Sequence, residues 1–304
     1  MPVNSSTMRG MHGAWSIVTL CVWLPAWAAP AGATIRVVAT IFPLTDMVQQ
    51  IGKDEVAVAT LLPGGANPHT FEPTPAQIRD VANARVFVCV GAGLDTWATK
   101  LLAARSDPIT VVTISDGLQL LGAQDAQHVP DAHGGDPHVW VDPVLMRDHT
   151  VPAIAAALSQ VDPEHRAAFE AAAATFQAAL TQLDRDIRAT LTPLPNHRYI
   201  AFHSAWRYFG QRYDLHEIGV VEAFPGKEPS AREIAAVVEQ ARAAHIHALL
   251  VEPQYNARTA QQIAAEFGGR TLLVDAIGGP DVAGRNHYID LMRYNLQAFV
   301  EALS

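Results

Sequence analysis

Three histidines and one aspartate stand where a divalent cation could be held. His69 lies in GGANPHTFEPTP (64–75), a loop bracketed by prolines and a glycine pair directly after the apolar run VAVATLL. His138 lies in a second proline-bracketed loop, GGDPHVWVDP, while His203 closes the run RYIAFH and Asp275 closes RTLLVD. Proline fixes φ and removes a donor, so both loops read as stiff and non-repetitive, suited to aiming one side chain. Imidazole nitrogen and carboxylate oxygen bind zinc at about 2.0–2.2 Å, usually as four ligands in a tetrahedron. Three imidazoles favour zinc over manganese or magnesium, which take more oxygen, although copper, nickel or cobalt would also bind such a set. No HExxH or CxxC spacing ties the four residues together. The competing reading is of separate histidines, each satisfied by its own hydrogen bonds, with His69 simply exposed on a polar loop.

The elements that would position them alternate short β-rich runs with helical patterns. RVVATI, VAVATLL, RVFVCVG and ITVVTI are strands, and LTDMVQQIG, TPAQIRDVANA and DTWATKLLAAR helices. Thr74 reads as an N-cap with Pro75 as the first helical residue. The second half repeats the plan: RYIAFH, SAWRYFGQRY, EIGVVEAFPG, the capped SAREIAAVVEQARA, HALLVE, NARTAQQIAAEF and RTLLVD. Arg198 follows Arg36 by 162 residues and Pro225 follows Pro63 by 162, but Ser230 follows Thr74 by only 156. The first half therefore carries six extra residues, and they fall where ANPHTF sits. Strand–helix alternation implies parallel sheets covered on both faces.

Between the halves, DPEHRAAFEAAAATFQAALTQLDRDIRATL (162–191) is Ala-rich and free of internal glycine. With Asp162 as N-cap and Pro163 behind it, it predicts one helix of roughly 30 residues, about 45 Å long. The fold class is α/β: two similar parallel-sheet lobes joined by one long rigid helix, with the metal site in the cleft between them. The boundaries are 1–28 for a signal peptide, 29–160 for the N-terminal lobe, 161–193 for the linking helix and 194–304 for the C-terminal lobe. In open parallel sheets ligands sit beyond the carboxyl ends of the strands. His69, His203 and Asp275 all follow strands, so the four candidates converge on the cleft, two from each half.

The first 28 residues differ from the rest: one basic residue, Arg9, then the apolar stretch AWSIVTLCVWLPAWA ending in Ala26-Trp27-Ala28. This reads as a secretory signal cleaved after Ala28, placing the protein in the periplasm. An uncleaved anchor, or lipid attachment at Cys21 behind the poor lipobox Val18-Thr19-Leu20, are the alternatives. The chain holds 21 basic and 30 acidic residues, a net charge of −9, and loss of Arg9 takes it to −10. That argues against nucleic acid and suits an exported protein that attracts cations. Cys89, within VFVCV, would be the one remaining cysteine, a small core residue with no disulfide partner.

Other histidines carry less. His128 and His133, with Asp125, Asp131 and Asp136, form a polar stretch able to catch a cation loosely or simply to face solvent. His245 and His247 flank Ile246 at a strand entrance and read as structural. His12, His149, His165, His197, His216 and His287 suggest surface or capping roles. Trp140 and Trp206 read as cleft wall or core.

Together NPHTFEPTPAQI, DPHVWVDP, AFHSAWRYFG, LLVEPQYNARTAQQIAAEFG and YIDLMRYNLQAFVEAL resemble the metal-specific solute-binding proteins of zinc and manganese ABC importers, from about Thr34 to the C-terminus. The resemblance implies metal ligands at His69, His138, His203 and Asp275, and Zn²⁺ as the bound ion. Manganese carriers of that family generally have glutamate where this chain has His203, which points to zinc. The histidine stretch before DPH is short where many zinc carriers of the family have a long one, and the cysteine pair some relatives use for a disulfide is missing. The implied partner is an ABC permease in the cytoplasmic membrane, with a zinc chaperone as a further partner and the carrier a monomer. The implied function is zinc delivery with no bond made or broken. Its rivals are a manganese carrier of the same family, a secreted zinc hydrolase using Glu72, Glu222 or Glu252 as base, and an adhesin with structural zinc.

Overall fold

The structure, a computed structural model, describes Met1 and residues 34–103, 105, 107–122, 135–223 and 226–304. The expected signal peptide with Cys21 and His12 lies outside the described residues, as do Asp125, His128, Asp131 and His133. Residues 33–304 form one compact unit. Among the described residues no helix is long and apolar enough to cross a membrane.

Two four-stranded parallel sheets carry the fold, and they share one topology. In the first, β1 (Ile35–Ala39), β2 (Val56–Thr60), β3 (Val86–Cys89) and β4 (Thr110–Thr113) lie in the order β2-β1-β3-β4. In the second, β5 (Arg198–His203), β6 (His216–Glu222), β7 (Ala248–Val251) and β8 (Arg270–Leu273) lie in the order β6-β5-β7-β8. Every pairing is parallel, from Ile35 opposite Val56 to Val251 opposite Leu273, with one irregularity between Tyr199 and Ile200. Each β1-type strand is central and buried on both faces, so it reads as a continuous apolar run rather than an alternating one.

In the first half the helices are α1 (Phe42–Gly52), α2 (Pro75–Asn83), α3 (Thr96–Ala103), the short α4 (Pro143–Leu145) and α5 (Val151–Val161). The linking helix is α6 (Arg166–Leu191), followed by α7 (Arg207–Tyr213), α8 (Ala231–Ala243), α9 (Ala257–Glu266) and α10 (Tyr288–Leu303). Thr74 caps α2 and Ser230 caps α8 with the same reciprocal device. Each hydroxyl accepts the backbone N–H three residues on, while Gln77 or Glu233 reaches back to the cap's own N–H. The 143–161 segment, for which the sequence pattern assigns no element, is helical with a π turn over Met146–Thr150. Pro152 removes a donor from that run, which obscures the helical signal and fits a widened turn just before it.

The linking helix begins with a 3₁₀ turn, Pro163–His165, and becomes α-helical at Arg166. The 26 residues of α6 make about 39 Å of helix. Phe169, Ala173, Phe176, Leu180, Leu183, Ile187 and Leu191 form its buried stripe, at alternating steps of three and four until the last turn. That stripe belongs to a core running without a break from β1 and α1 through α6 to Tyr199, Trp206 and Phe299 of the second half. The C-terminal helix α10 reinforces it, packing on α6, on α1 and on β5 and β7. Smaller clusters fill the outer faces, one under α2 and α3, one under α8 and α9. Cys89 belongs to the first of these, its Sγ 3.6 Å from the Thr113 hydroxyl, and burial pushes its thiol up to about 12. Trp140 and Trp206 are core residues too.

Candidate metal centre

The His69 and His138 loops are built by one local device. In Asn67-Pro68-His69, the Asn67 Oδ1 accepts the His69 backbone N–H at 2.9 Å. In Asp136-Pro137-His138, the Asp136 Oδ1 accepts the His138 backbone N–H at 3.0 Å. An Asx oxygen bonded two residues ahead, with proline between, fixes the backbone that presents each histidine. The His69 loop hangs from the carboxyl end of β2. The His138 loop is tied to the second half by Tyr208 of α7, whose hydroxyl donates to the Asp136 carbonyl at 2.8 Å and accepts from the Leu121 N–H at 3.0 Å. His203 needs no loop, being the last residue of the central strand β5.

These three side chains meet. His69 Nε2 lies 3.2 Å from His138 Nε2. Ring centroids are 5.2 Å apart for His69 and His138, 5.1 Å for His69 and His203 and 4.9 Å for His138 and His203, with planes at 53°, 79° and 71°. One nitrogen from each ring lies within 4.8 Å of the others. Steep mutual tilts let three lone pairs converge on one point, as tetrahedral coordination needs. His138 and His203 are buried, and His69 is partly so.

Two carboxylates stand behind the rings. Asp136 Oδ1 lies 2.8 Å from His138 Nδ1, and Glu252 Oε1, just past the end of β7, lies 3.1 Å from His203 Nδ1. Engaging Nδ1 selects the tautomer that leaves Nε2 free for the centre and raises its basicity. Asp136 Oδ2 and Glu252 Oε2 are buried without a hydrogen-bond partner, although Arg207 stands 3.8 Å from the former. The centre is therefore negatively biased and suited to a cation.

Burial, together with the neighbouring His138 and His203, drives His69 down to about 2. Burial also lowers His138, against the pull of Asp136. At His203 burial acts downward as well, but the Glu252 hydrogen bond and charge, with Asp136 and Glu222, outweigh it and the pKa is raised. At neutral pH the cluster thus presents at least two neutral imidazoles, the protonation state a metal requires.

Asp275 is held differently. It lies two residues past β8, and its carboxylate is not among the three converging nitrogens. Its Oδ1 accepts the Ile277 and Gly278 N–H groups, both at 2.9 Å, and its Oδ2 accepts Arg285 Nη1 at 2.8 Å. The carboxylates weighed as a general base are engaged or exposed. Glu252 orients His203, Glu222 accepts the Gly226 N–H at 2.7 Å, and Glu72 is exposed. A second cluster of three possible ligands among the described residues joins Glu55, Asp162 and His165 on a half-exposed surface. There His165 Nδ1 is 2.6 Å from Asp162 Oδ2 and Nε2 is 3.8 Å from Glu55. His287 pairs with Asp46 at 3.0 Å, and His245 sits at φ 55° after α8 with its side chain exposed.

Residues 37–302 match the family described as ZnuA, zinc-uptake complex component A, periplasmic. The chain is 28% identical over 283 residues to the high-affinity zinc uptake system protein ZnuA of Bacillus subtilis, covering 90% of this chain and 88% of the relative. It is equally, 28%, identical over 278 residues to the manganese-binding lipoprotein MntA of Halalkalibacterium halodurans, covering 90% of each. A crystal structure of ZnuA superposes with a TM-score of 0.80 at 29% identity, covering 90% of this chain and all of that one.

Proposed function

The chain belongs to the ZnuA family of periplasmic zinc-uptake components, and from that premise we propose that it captures Zn²⁺ outside the cytoplasmic membrane and delivers it to an ABC permease. His69, His138 and His203 are the primary ligands, with Asp275 completing a tetrahedron. The observation that carries this reading is the convergence of three imidazoles, two of them oriented through Nδ1 by buried carboxylates.

Zinc rather than manganese follows from the donor set. Three nitrogens and one oxygen suit a borderline-soft ion, whereas manganese prefers more oxygen. The chain is similar to both a zinc-uptake protein and a manganese-binding one, and the imidazole of His203, at a position where the resemblance gives manganese carriers a glutamate, supports the zinc reading. Residues 1–28 act as an export signal, and the mature carrier works as a monomer in the periplasm, without catalysing a reaction. Against a hydrolase, Glu252 and Glu222, the nearby carboxylates able to serve as a base, already hold His203 and the Gly226 N–H. Chelator competition on the purified protein tests the reading, with Zn²⁺ and Mn²⁺ titrated side by side. One tight zinc site with Mn²⁺ at least a hundredfold weaker is expected. Equal affinities, or loose binding at many sites, would overturn it.

A further inference from the structure

Asp275 is fixed at both ends. Its backbone is clamped by Asn295 of α10, which accepts the Asp275 N–H and donates to its carbonyl, both at 2.7 Å. Its carboxylate is shared between two loop amides and Arg285. Arg285 returns to Asp275 because the segment between them folds on itself. Gly278, at φ +67°, packs so closely that a Cβ there would meet the Arg285 carbonyl at 2.5 Å. Turn bonds from Val282 N–H to the Gly279 carbonyl and from Arg285 N–H to the Val282 carbonyl close the loop. The Arg285 guanidinium lies 4.8 Å from the Tyr294 ring centroid, a cation–π seat independent of Asp275. Its Nε is buried with no hydrogen-bond partner, so the grip on the carboxylate is through Nη1 alone and not the stronger bidentate fork. Beside the pair, a cavity of about 200 Å³ is lined by Gly65 and Ala66 of the His69 loop and by Pro253 and Gln254, just past Glu252.

We propose that Arg285 and the bound metal compete for the same Asp275 oxygen, making Arg285 a positioning residue that sets zinc affinity and release rate. This rests on the carrier reading above. With the backbone pinned by Asn295 and Oδ1 held by two amides, Oδ2 is the atom free to change partner, and Tyr294 retains the guanidinium when it does. A site whose fourth ligand is held back in part of the population binds more weakly by that fraction, and releases its ion when the holder returns.

The test is zinc affinity and dissociation into excess chelator for the native protein, Arg285→Met, Asp275→Asn and the double variant. The visible spectrum of bound Co²⁺ serves as a readout of the ligand set. Arg285→Met should bind zinc about tenfold tighter and release it correspondingly slower. In the Asp275→Asn background the same change should do nothing, because contacting residues acting as one unit are non-additive. The Co²⁺ bands should shift on Asp275→Asn and not on Arg285→Met. Unchanged affinity in Arg285→Met, or equal tightening in both backgrounds, would overturn the proposal, the latter by showing only relief of charge repulsion. Should the Met variant misfold by circular dichroism, Arg285→Lys gives the same reading, expected severalfold tighter. A His203→Ala control separates the two claims. If it leaves zinc binding intact the carrier site itself fails, whereas lost binding with an inert Arg285 change defeats the competition alone.

Discussion

The Trp140 indole Nε1 donates a 2.7 Å hydrogen bond to the Ala276 carbonyl, joining the segment that carries His138 to the one that carries Asp275. Tyr288, at the start of α10, donates from its hydroxyl to the Trp140 carbonyl at 2.8 Å. All three residues are buried, and Trp140 also lies 5.1 Å from the His138 ring, centroid to centroid. The two halves are thus tied at the site itself as well as along α6. A wide hinge motion would break this tether and open a continuous core, so metal exchange is expected to work through the ligand loops.

Trp140→Phe keeps an aromatic ring and removes the donor. Leaving the Ala276 carbonyl buried and unpaired costs about 1–3 kcal/mol. Chemical denaturation should show that loss, and chelator competition a severalfold weaker zinc site.

Asp136→Asn and Glu252→Gln keep shape and remove charge behind His138 and His203. Losing such an outer partner generally weakens metal binding by about 10–100-fold. Each variant should do so in chelator competition while keeping a native circular dichroism spectrum. An unchanged affinity in both would mean these carboxylates do not orient the rings.

The pH dependence has a definite sign. His69 and His138 are lowered, so they stay neutral through mildly acid pH, while His203 is raised above 6.5 and takes the first proton. Zinc must displace that proton, so affinity should fall about tenfold per pH unit below the His203 pKa and level off above it. Calorimetric titration from pH 5 to 8 reads this.

Stability of the metal-free protein follows the same shifts. The raised His203 contributes stability that is full below 6.5 and lost as pH rises through its folded pKa. The lowered His69 and His138 contribute stability present above 6.5 and lost as pH falls through the window below it. Burial likewise raises Glu217 to about 7, so its contribution is lost as pH rises toward that value. Thermal melts should therefore fall from about pH 7 upward, and a monotonic rise through pH 8 would contradict the assigned directions.

Thr74→Ala removes the α2 cap on the segment that follows the His69 loop. Stability should fall by about 1 kcal/mol, the usual worth of such a cap. Zinc affinity should hold, because Asn67 and the prolines set the His69 backbone.

The strands and both capping boxes are legible in the sequence because they are local: apolar runs, and Ser or Thr three residues before Gln or Glu. The repeat of one plan is legible too, in the spacings that relate Arg36 to Arg198 and Thr74 to Ser230. The shared strand order is not, since parallel neighbours are distant in the chain. Of the site, the three histidines could be found from strand ends and proline-bracketed loops. The Asx turns were available in Asn67-Pro68-His69 and Asp136-Pro137-His138, whose likeness is visible once the two are aligned. Glu252 stands after β7 as His203 ends β5, yet nothing local distinguishes an orienting carboxylate from a general base. Arg285 left no signal, because only the folding of a glycine-rich loop brings it back to Asp275.

Anomalous diffraction at the zinc edge from crystals of the zinc-loaded protein would locate the bound ion. One peak is expected about 2.0–2.1 Å from a nitrogen of each of His69, His138 and His203. A principal peak elsewhere, such as between Glu55, Asp162 and His165, with none at the three histidines, would rule out the three-histidine centre.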